Sequence, residues 1–213
     1  AITAGLDGLW LALGLGAIAA AVVAAAADPL TAAFGASAAA QEQATTYLRI
    51  GALGLPPMLV LLAVTGALRG LLDTRTPMLV AVAGFAVNIA LNLAFVHGFH
   101  WGIAGSAWGT VIAQTGMALA LTAVLLRKAR ATHAPLRPHP GRVLAAARNG
   151  IPLVVRTLAL RGAILLTVWA AAVLGDAPLA AHQIAATVWS FLAFALDALA
   201  IAAQAVVGRD LGA

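Results

Sequence analysis

Six apolar stretches, each close to the roughly 20 residues a helix needs to cross a bilayer, take up most of the chain. They run Leu9–Ala27, Leu48–Leu68, Met78–Val96, Ile103–Leu126, Ile151–Leu174 and Ile184–Val207. Hydrocarbon offers backbone N–H and C=O groups no partners, so runs of this length predict helices, whose hydrogen bonds are internal. The expected fold class is therefore an all-α membrane protein with six transmembrane helices, solvated by a lipid bilayer. A water-soluble alternative fails on composition: 63% of residues are hydrophobic and 9% are charged, against about 25% charged in an ordinary soluble domain. The first stretch has no basic region before it and no small-residue cleavage signature after it, so it reads as a span and not as a removable leader.

The net charge of +5 does not point to nucleic acid, because the twelve Lys and Arg are not gathered on a polar domain with aromatic partners. They fall on alternate connections. Arg69 and Arg75 follow the second stretch, Arg127, Lys128, Arg130, Arg137, Arg142 and Arg148 follow the fourth, and Arg209 follows the sixth. The other connections, Asp28–Thr46, His97–Gly102 and Gly175–Gln183, hold no Lys or Arg and carry Asp28, Glu42 and Asp176. Basic residues beside short loops stay cytoplasmic, which predicts a multi-pass protein of the cell (inner) membrane with both ends of this chain inside. Arg49 is the exception and is expected to snorkel to the outer headgroups. Tyr47, Phe99 and Trp101 fall at the outer boundary and Trp10 at the inner one, as interfacial aromatics do.

Asp28-Pro29 is expected to stop the first helix, and Ser37–Thr46 to form a short surface helix leading into the second. Pro56-Pro57, and Pro152 at the start of the fifth helix, predict kinks, as hinges or static bends. Gly66-x-x-x-Gly70, Gly98-x-x-x-Gly102 and Gly105-x-x-x-Gly109 read as packing surfaces. Arg127–Asn149, basic and rich in proline, reads as a linker held near anionic headgroups. No cysteine is available, and the phosphate-loop, His-Glu-x-x-His and Gly-x-Ser-x-Gly signatures are missing, so no enzyme is expected. His97 and His100 lack nearby carboxylates, and no metal site is assigned to them.

What remains is a sparse polar set within the spans: Thr65, Asn88, Asn92, Thr110, Gln114, Arg156, Arg161, Asp197 and Gln204. Each is costly in hydrocarbon and should face the bundle interior or a wet cavity. Asn88 and Asn92, at i and i+4, share a helix face, where they can bind a common ligand or act as interhelical glue. Depth counting predicts that they converge with Thr110. It also places Arg161 and Asp197 at nearly one depth, which predicts an intramembrane ion pair across the fifth and sixth helices.

Arg69-Gly-Leu-Leu-Asp73-Thr74-Arg75-Thr76-Pro77, Asn88-x-x-x-Asn92-x-x-Phe95 and Gly102-Ile-Ala-Gly105-Ser-Ala-Trp-Gly-Thr110, in that order, closely resemble the multidrug and toxic compound extrusion (MATE) transporters. Ala180-Ala-His-Gln-Ile184 and Phe194-Ala-Leu-Asp197-Ala-Leu-Ala200 are similar to its DinF-like branch. The resemblance implies a piece of a two-lobe bundle of the MOP superfamily, corresponding to helices three to eight of twelve. Residues 1–126 would be the last four helices of the N-lobe, 127–149 the cytoplasmic interlobe linker and 150–213 the first two helices of the C-lobe. It implies efflux of amphipathic or cationic compounds by proton- or sodium-coupled antiport, with no other cofactor, and with the small-molecule substrate and the remaining transporter helices as partners. By motif position, Tyr47, Thr65, Asn88, Asn92 and Thr110 would line the first lobe's cavity. Asp197 would be an ion-sensitive carboxylate. Asn92 departs from the aspartate that many members use in coupling. A lipid-linked precursor flippase of the same superfamily is the alternative within transport, kept alive by Arg156 and Arg161. A non-transporting membrane scaffold or intramembrane enzyme is the alternative outside it, and would leave the polar groups scattered.

Overall fold

The computed structural model describes residues 2–33, 37–135 and 138–211. Arg137 and the side chains of Asp176, Gln204 and Arg209 lie outside the described residues. The helices are α1 (Ile2–Ala25), α2 (Ala27–Ala32), α3 (Ala38–Ala52), α4 (Leu55–Gly70), α5 (Arg75–Asn92), α6 (Gly102–Ala131), α7 (Pro140–Val173) and α8 (Asp176–Leu211). A π-helical turn, Leu93–Gly98, continues α5. Among the described residues five helices are long and apolar enough to cross a membrane, and α3 with α4 makes a sixth span bent by 42°. These six coincide with the six apolar stretches.

The bend has a local cause. Pro56 and Pro57 occupy the first turn of α4, where proline needs no donor but cannot continue a helix from before it. The chain turns one step earlier, at Leu53 and Gly54, whose N–H groups reach back to Ile50 and Gly51 at 3.0 and 2.9 Å. Ser37–Thr46 is helical and leads into the second stretch as expected, but without a break: it is the start of α3, capped by the Ser37 hydroxyl accepting from the Ala40 N–H at 3.4 Å. Nor does Asp28-Pro29 end α1. That helix stops at Ala25, and Asp28 and Pro29 lie within α2, where Pro29 is in the first turn and forfeits no helical hydrogen bond. Pro152 sits inside α7, because the helix begins at Pro140.

The chain forms two compact units, residues Ala1–Leu144 and Ala145–Ala213. In the first, Leu6, Leu9 and Ala12 of α1, Val60, Val64 and Leu68 of α4, and Ala118, Leu121, Leu125 and Ala129 of α6 make one apolar core. Glycine permits the approach. A Cβ on Gly5 would meet Ala67 Cβ at 2.8 Å, and one on Gly16 would meet the Pro56 backbone at 2.5 Å. Helix α5 packs on α6 in the same way: Gly105 faces the Phe95 backbone at 3.0 Å, and Gly84 leaves space filled by the Met117 side chain. Of the three glycine pairs expected to pack, Gly105 and Gly109 do so. Gly66, Gly70, Gly98 and Gly102 have open space where a Cβ would stand. In the second unit, the remainder of α7 and α8 expose most of their apolar side chains, and Thr167 and His182 approach at 3.5 Å.

Asp73 organises the end of the first unit that carries the basic residues. Its carboxylate accepts the Thr76 N–H at 3.1 Å and hydroxyl at 3.0 Å, fixing the first turn of α5, and pairs with Lys128 Nζ of α6 at 2.8 Å. The hydrogen bond from Lys128 is the main reason its pKa lies below the ordinary 3.8; partial desolvation opposes it, and the Thr76 bonds add to it.

In the full-length protein in detergent, Gly16→Ala should destabilise by about 1–3 kcal/mol, because the clash is with backbone. Gly66→Ala, which meets nothing, should gain up to about 1 kcal/mol; thermal midpoints distinguish them. Asp73 is depressed in the folded state, so its contribution is complete above the unfolded pKa and is lost as pH falls through the folded value. Below about pH 4, Asp73→Asn should therefore lose less stability on acidification than the unaltered protein, as read by unfolding midpoints against pH.

Candidate functional site

Asn88 and Asn92 stand one turn apart on α5, half-buried, against the face of α6 that carries Ser106, Gly109 and Thr110. A Cβ on Gly109 would come within 3.1 Å of Asn92 Nδ2, so the amide lies directly on the α6 backbone. Asn92 Nδ2 donates to the Asn88 carbonyl at 2.9 Å and Asn88 Oδ1 at 3.3 Å. Asn88 Nδ2 donates to Thr110 Oγ1 at 3.4 Å, and that hydroxyl donates to the Ser106 carbonyl at 3.0 Å. The donors thus run in one direction from α5 into α6. Asn92 Oδ1 accepts no hydrogen bond from the described residues, which leaves a carbonyl acceptor at the head of the chain.

The π-helical turn begins immediately after Asn92, at Leu93, and carries Phe95 to Gly105. Such turns cluster at functional positions because the extra residue re-aims the side chains beyond it. Phe95 stacks on Trp101 with ring centroids 5.1 Å apart, and Phe99 joins both at 6.0 and 5.6 Å. The aromatic group closes the α5–α6 connection, where His100 takes a left-handed φ of 57°.

Thr110 also opens to the other side. With Tyr47 and Gln114 it lines a cleft of about 390 Å³ whose other walls include Gly51, Gly54, Met58 and Val111. The α3–α4 bend makes this space, since Gly51, Ala52, Gly54 and Leu55 form one wall. A Cβ on Gly54 would meet Gln114 Oε1 at 2.8 Å, so glycine at the bend lets the amide reach it. The cleft combines a phenol, a hydroxyl and an amide with apolar walls, and no Lys, Arg, Asp or Glu is in its lining.

The structure therefore brings Asn88, Asn92 and Thr110 together and sets Tyr47 with Thr110 at one cleft. Thr65, half-buried on α4, lies outside that cleft's lining. The expected Arg161–Asp197 pair is not formed. Both side chains are exposed and no ion pair joins them among the described residues, because α7 and α8 bury almost nothing against each other and equal depth does not make the two groups face. The sequence alone names Gln114 without its role and misses Asp7. Gln114 is readable as a span polar group one turn from Thr110, but its place at the cleft depends on the bend. Asp7 lies just before the first apolar stretch and resembles a flank, yet it is 3% exposed.

Residues 2–94 and 152–213 match the family model described as MatE. The chain belongs to the MatE family. It is 38% identical to Protein DETOXIFICATION 43 of Arabidopsis thaliana over 162 residues, 76% of this chain and 30% of that protein. It is 33% identical to DNA damage-inducible protein F of Escherichia coli (strain K12) over 214 residues, 96% of this chain and 46% of that one. A structure titled "Crystal structure of MATE in the bent conformation" superposes with a TM-score of 0.79 at 22% identity, covering 97% of this chain and 52% of that chain. The chain thus spans under half the length of these curated relatives. It is a multi-pass helical membrane protein with the MATE fold.

As interhelical glue, the α5–α6 network should return about 0.6 kcal/mol of coupling in an Asn88→Ala, Thr110→Val double-mutant cycle, measured by unfolding of the full-length MatE protein.

Proposed function

We infer that this chain is the central part of a two-lobed, non-enzymatic secondary transporter that exports amphipathic or cationic compounds in exchange for protons or sodium. Residues 1–126 are the last four helices of one lobe, 127–149 the linker and 150–213 the first two helices of the next. The observation that carries the reading is the convergence of Asn88, Asn92 and Thr110, with Thr110 shared between that network and the Tyr47–Gln114 cleft. A scaffold has no need for three uncharged polar groups gathered beside an apolar-walled space. Tyr47 offers such a cargo a ring face, and the amides orient it. Thr65 is an outlying member of the same cavity set. Asp197 is the exposed carboxylate available for ion coupling. The cleft's uncharged lining favours drug-like cargo over the anionic headgroups of a lipid-linked precursor. A MatE-family relative named as probable multidrug resistance protein NorM, from Pseudomonas putida at 30% identity, supports export of this class.

Orientation follows the basic residues, with both ends and the 127–149 linker cytoplasmic in the inner membrane. A cysteine placed at Ala134 should react with impermeant reagents only in inside-out vesicles, and one placed at Ser37 only in intact cells.

The decisive test is efflux of a fluorescent lipophilic cation by the full-length protein. Asn88→Leu with Asn92→Leu should reduce efflux by about tenfold or more at unchanged expression, the scale of losing two oriented hydrogen bonds. Unchanged efflux would overturn the site, and no dependence on either a proton or a sodium gradient would overturn the mechanism.

A further inference from the structure

The chain leaves its first compact unit within the opening turns of α7, between Leu144 and Ala145. At that place Asp7, more than 130 residues earlier on α1, accepts Nε of Arg142 at 2.7 Å and the His139 N–H at 3.3 Å. The pair is lopsided: the Asp7 side chain is 4% exposed and that of Arg142 is 47% exposed. Pro138, His139, Pro140, Gly141, Arg142 and Leu144 are all exposed. Among the described residues, these two bonds to Asp7 are the only hydrogen bonds that tie 138–144 to the helices of the first unit. The start of the connection is fastened separately. Lys128 is held by Asp73, and Ala134 packs on the apolar core after a left-handed turn at His133.

We propose that Asp7 and Arg142 form a latch that holds the first turn of α7 on α1 and opens during each transport cycle. This rests on the transporter reading above. Alternating access moves one helical body against another, and strain from that movement falls first where the chain passes out of a body. There, among the described residues, the hydrogen-bonded attachment of 138–144 is the His139 N–H bond to Asp7 and an ion pair whose arginine is half in water. Arg142 itself is readily solvated once it leaves, but its departure strands the buried Asp7 carboxylate, and that cost drives its return. The closed latch therefore reforms spontaneously, and among the described residues the grip on 138–144 is set by the buried Asp7 carboxylate.

The test uses the full-length protein in lipid vesicles with a nitroxide on Gly141→Cys, a position where a Cβ meets only the His139 ring at 3.5 Å. The unaltered latch should give a mainly immobile label. Asp7→Asn should raise the mobile fraction about tenfold, since the buried acceptor loses its charge. Arg142→Gln should do the same and also lower the thermal midpoint, because it strands Asp7, while Asp7→Asn with Arg142→Gln should recover the midpoint and leave the label mobile. Should Asp7→Asn fail to fold, Arg142→Gln carries the same label readout. During turnover with a fluorescent lipophilic cation and an imposed gradient, the mobile fraction should rise in the unaltered protein and stay constant in Asp7→Asn. Normal efflux with no change in the label overturns the latch alone, and a label indifferent to both single variants does the same. Absence of efflux from the unaltered protein overturns the transport reading and the cyclic opening together.

Discussion

Close approach of backbones is the constraint on which the first unit depends. Between helices in lipid there is no hydrophobic driving force to draw them together, so association rests on van der Waals contact and the few polar bonds available. Gly5 and Gly16 let α1 lie on α4, and Gly105 and Gly109 let α5 lie on α6. The amide of Asn92 reaches the α6 backbone only because Gly109 has no side chain, so the same close approach that packs the helices assembles the polar network.

Polar groups are then distributed with different consequences at the two ends. At the basic end, carboxylates are saturated: Asp7 by Arg142 and His139, Asp73 by Lys128 and Thr76. Toward the other end Arg49 and Asp28 make an exposed ion pair at 2.6 Å, while the amides and hydroxyls within the spans leave acceptor capacity on Asn92 and open space beside Thr110. Charged pairs with one buried partner return to the same geometry after they part, whereas neutral groups can exchange partners at modest cost. The division matches a body held by ion pairs near its ends and receptive along its middle.

The spans, their helical nature and the shared face of Asn88 and Asn92 were legible because hydrophobic length and i,i+4 spacing act locally, while the meeting with Thr110 came from matching depth, which succeeds only where the helices also face each other. Features decided by long-range geometry were not. Arg161 and Asp197 share a depth, but facing depends on rotation about each helix, which depth does not report. Pro56-Pro57 announced a bend, but only its location at Leu53–Gly54 shows that Gln114 meets the cleft. Asp7 was hidden by the edge of an apolar run, where a flanking acid and a buried one look alike. Gly66 and Gly70 have the spacing of a packing motif with no helix opposite among the described residues, since spacing specifies a surface and not its occupant.

The π-helical turn after Asn92 carries a further consequence for how such a chain can change. Each turn of this kind holds one residue more than an α-turn, so every position beyond it is rotated by about 100° from where an unbroken helix would put it. Loss of the codon for Leu93 or Ala94 would restore the regular ladder and swing Phe95 away from Gly105, dispersing the aromatic group while leaving Asn88 and Asn92 in register. Related sequences can thus alter the closure of this end independently of the amides beneath it, by length variation of one residue and without any substitution.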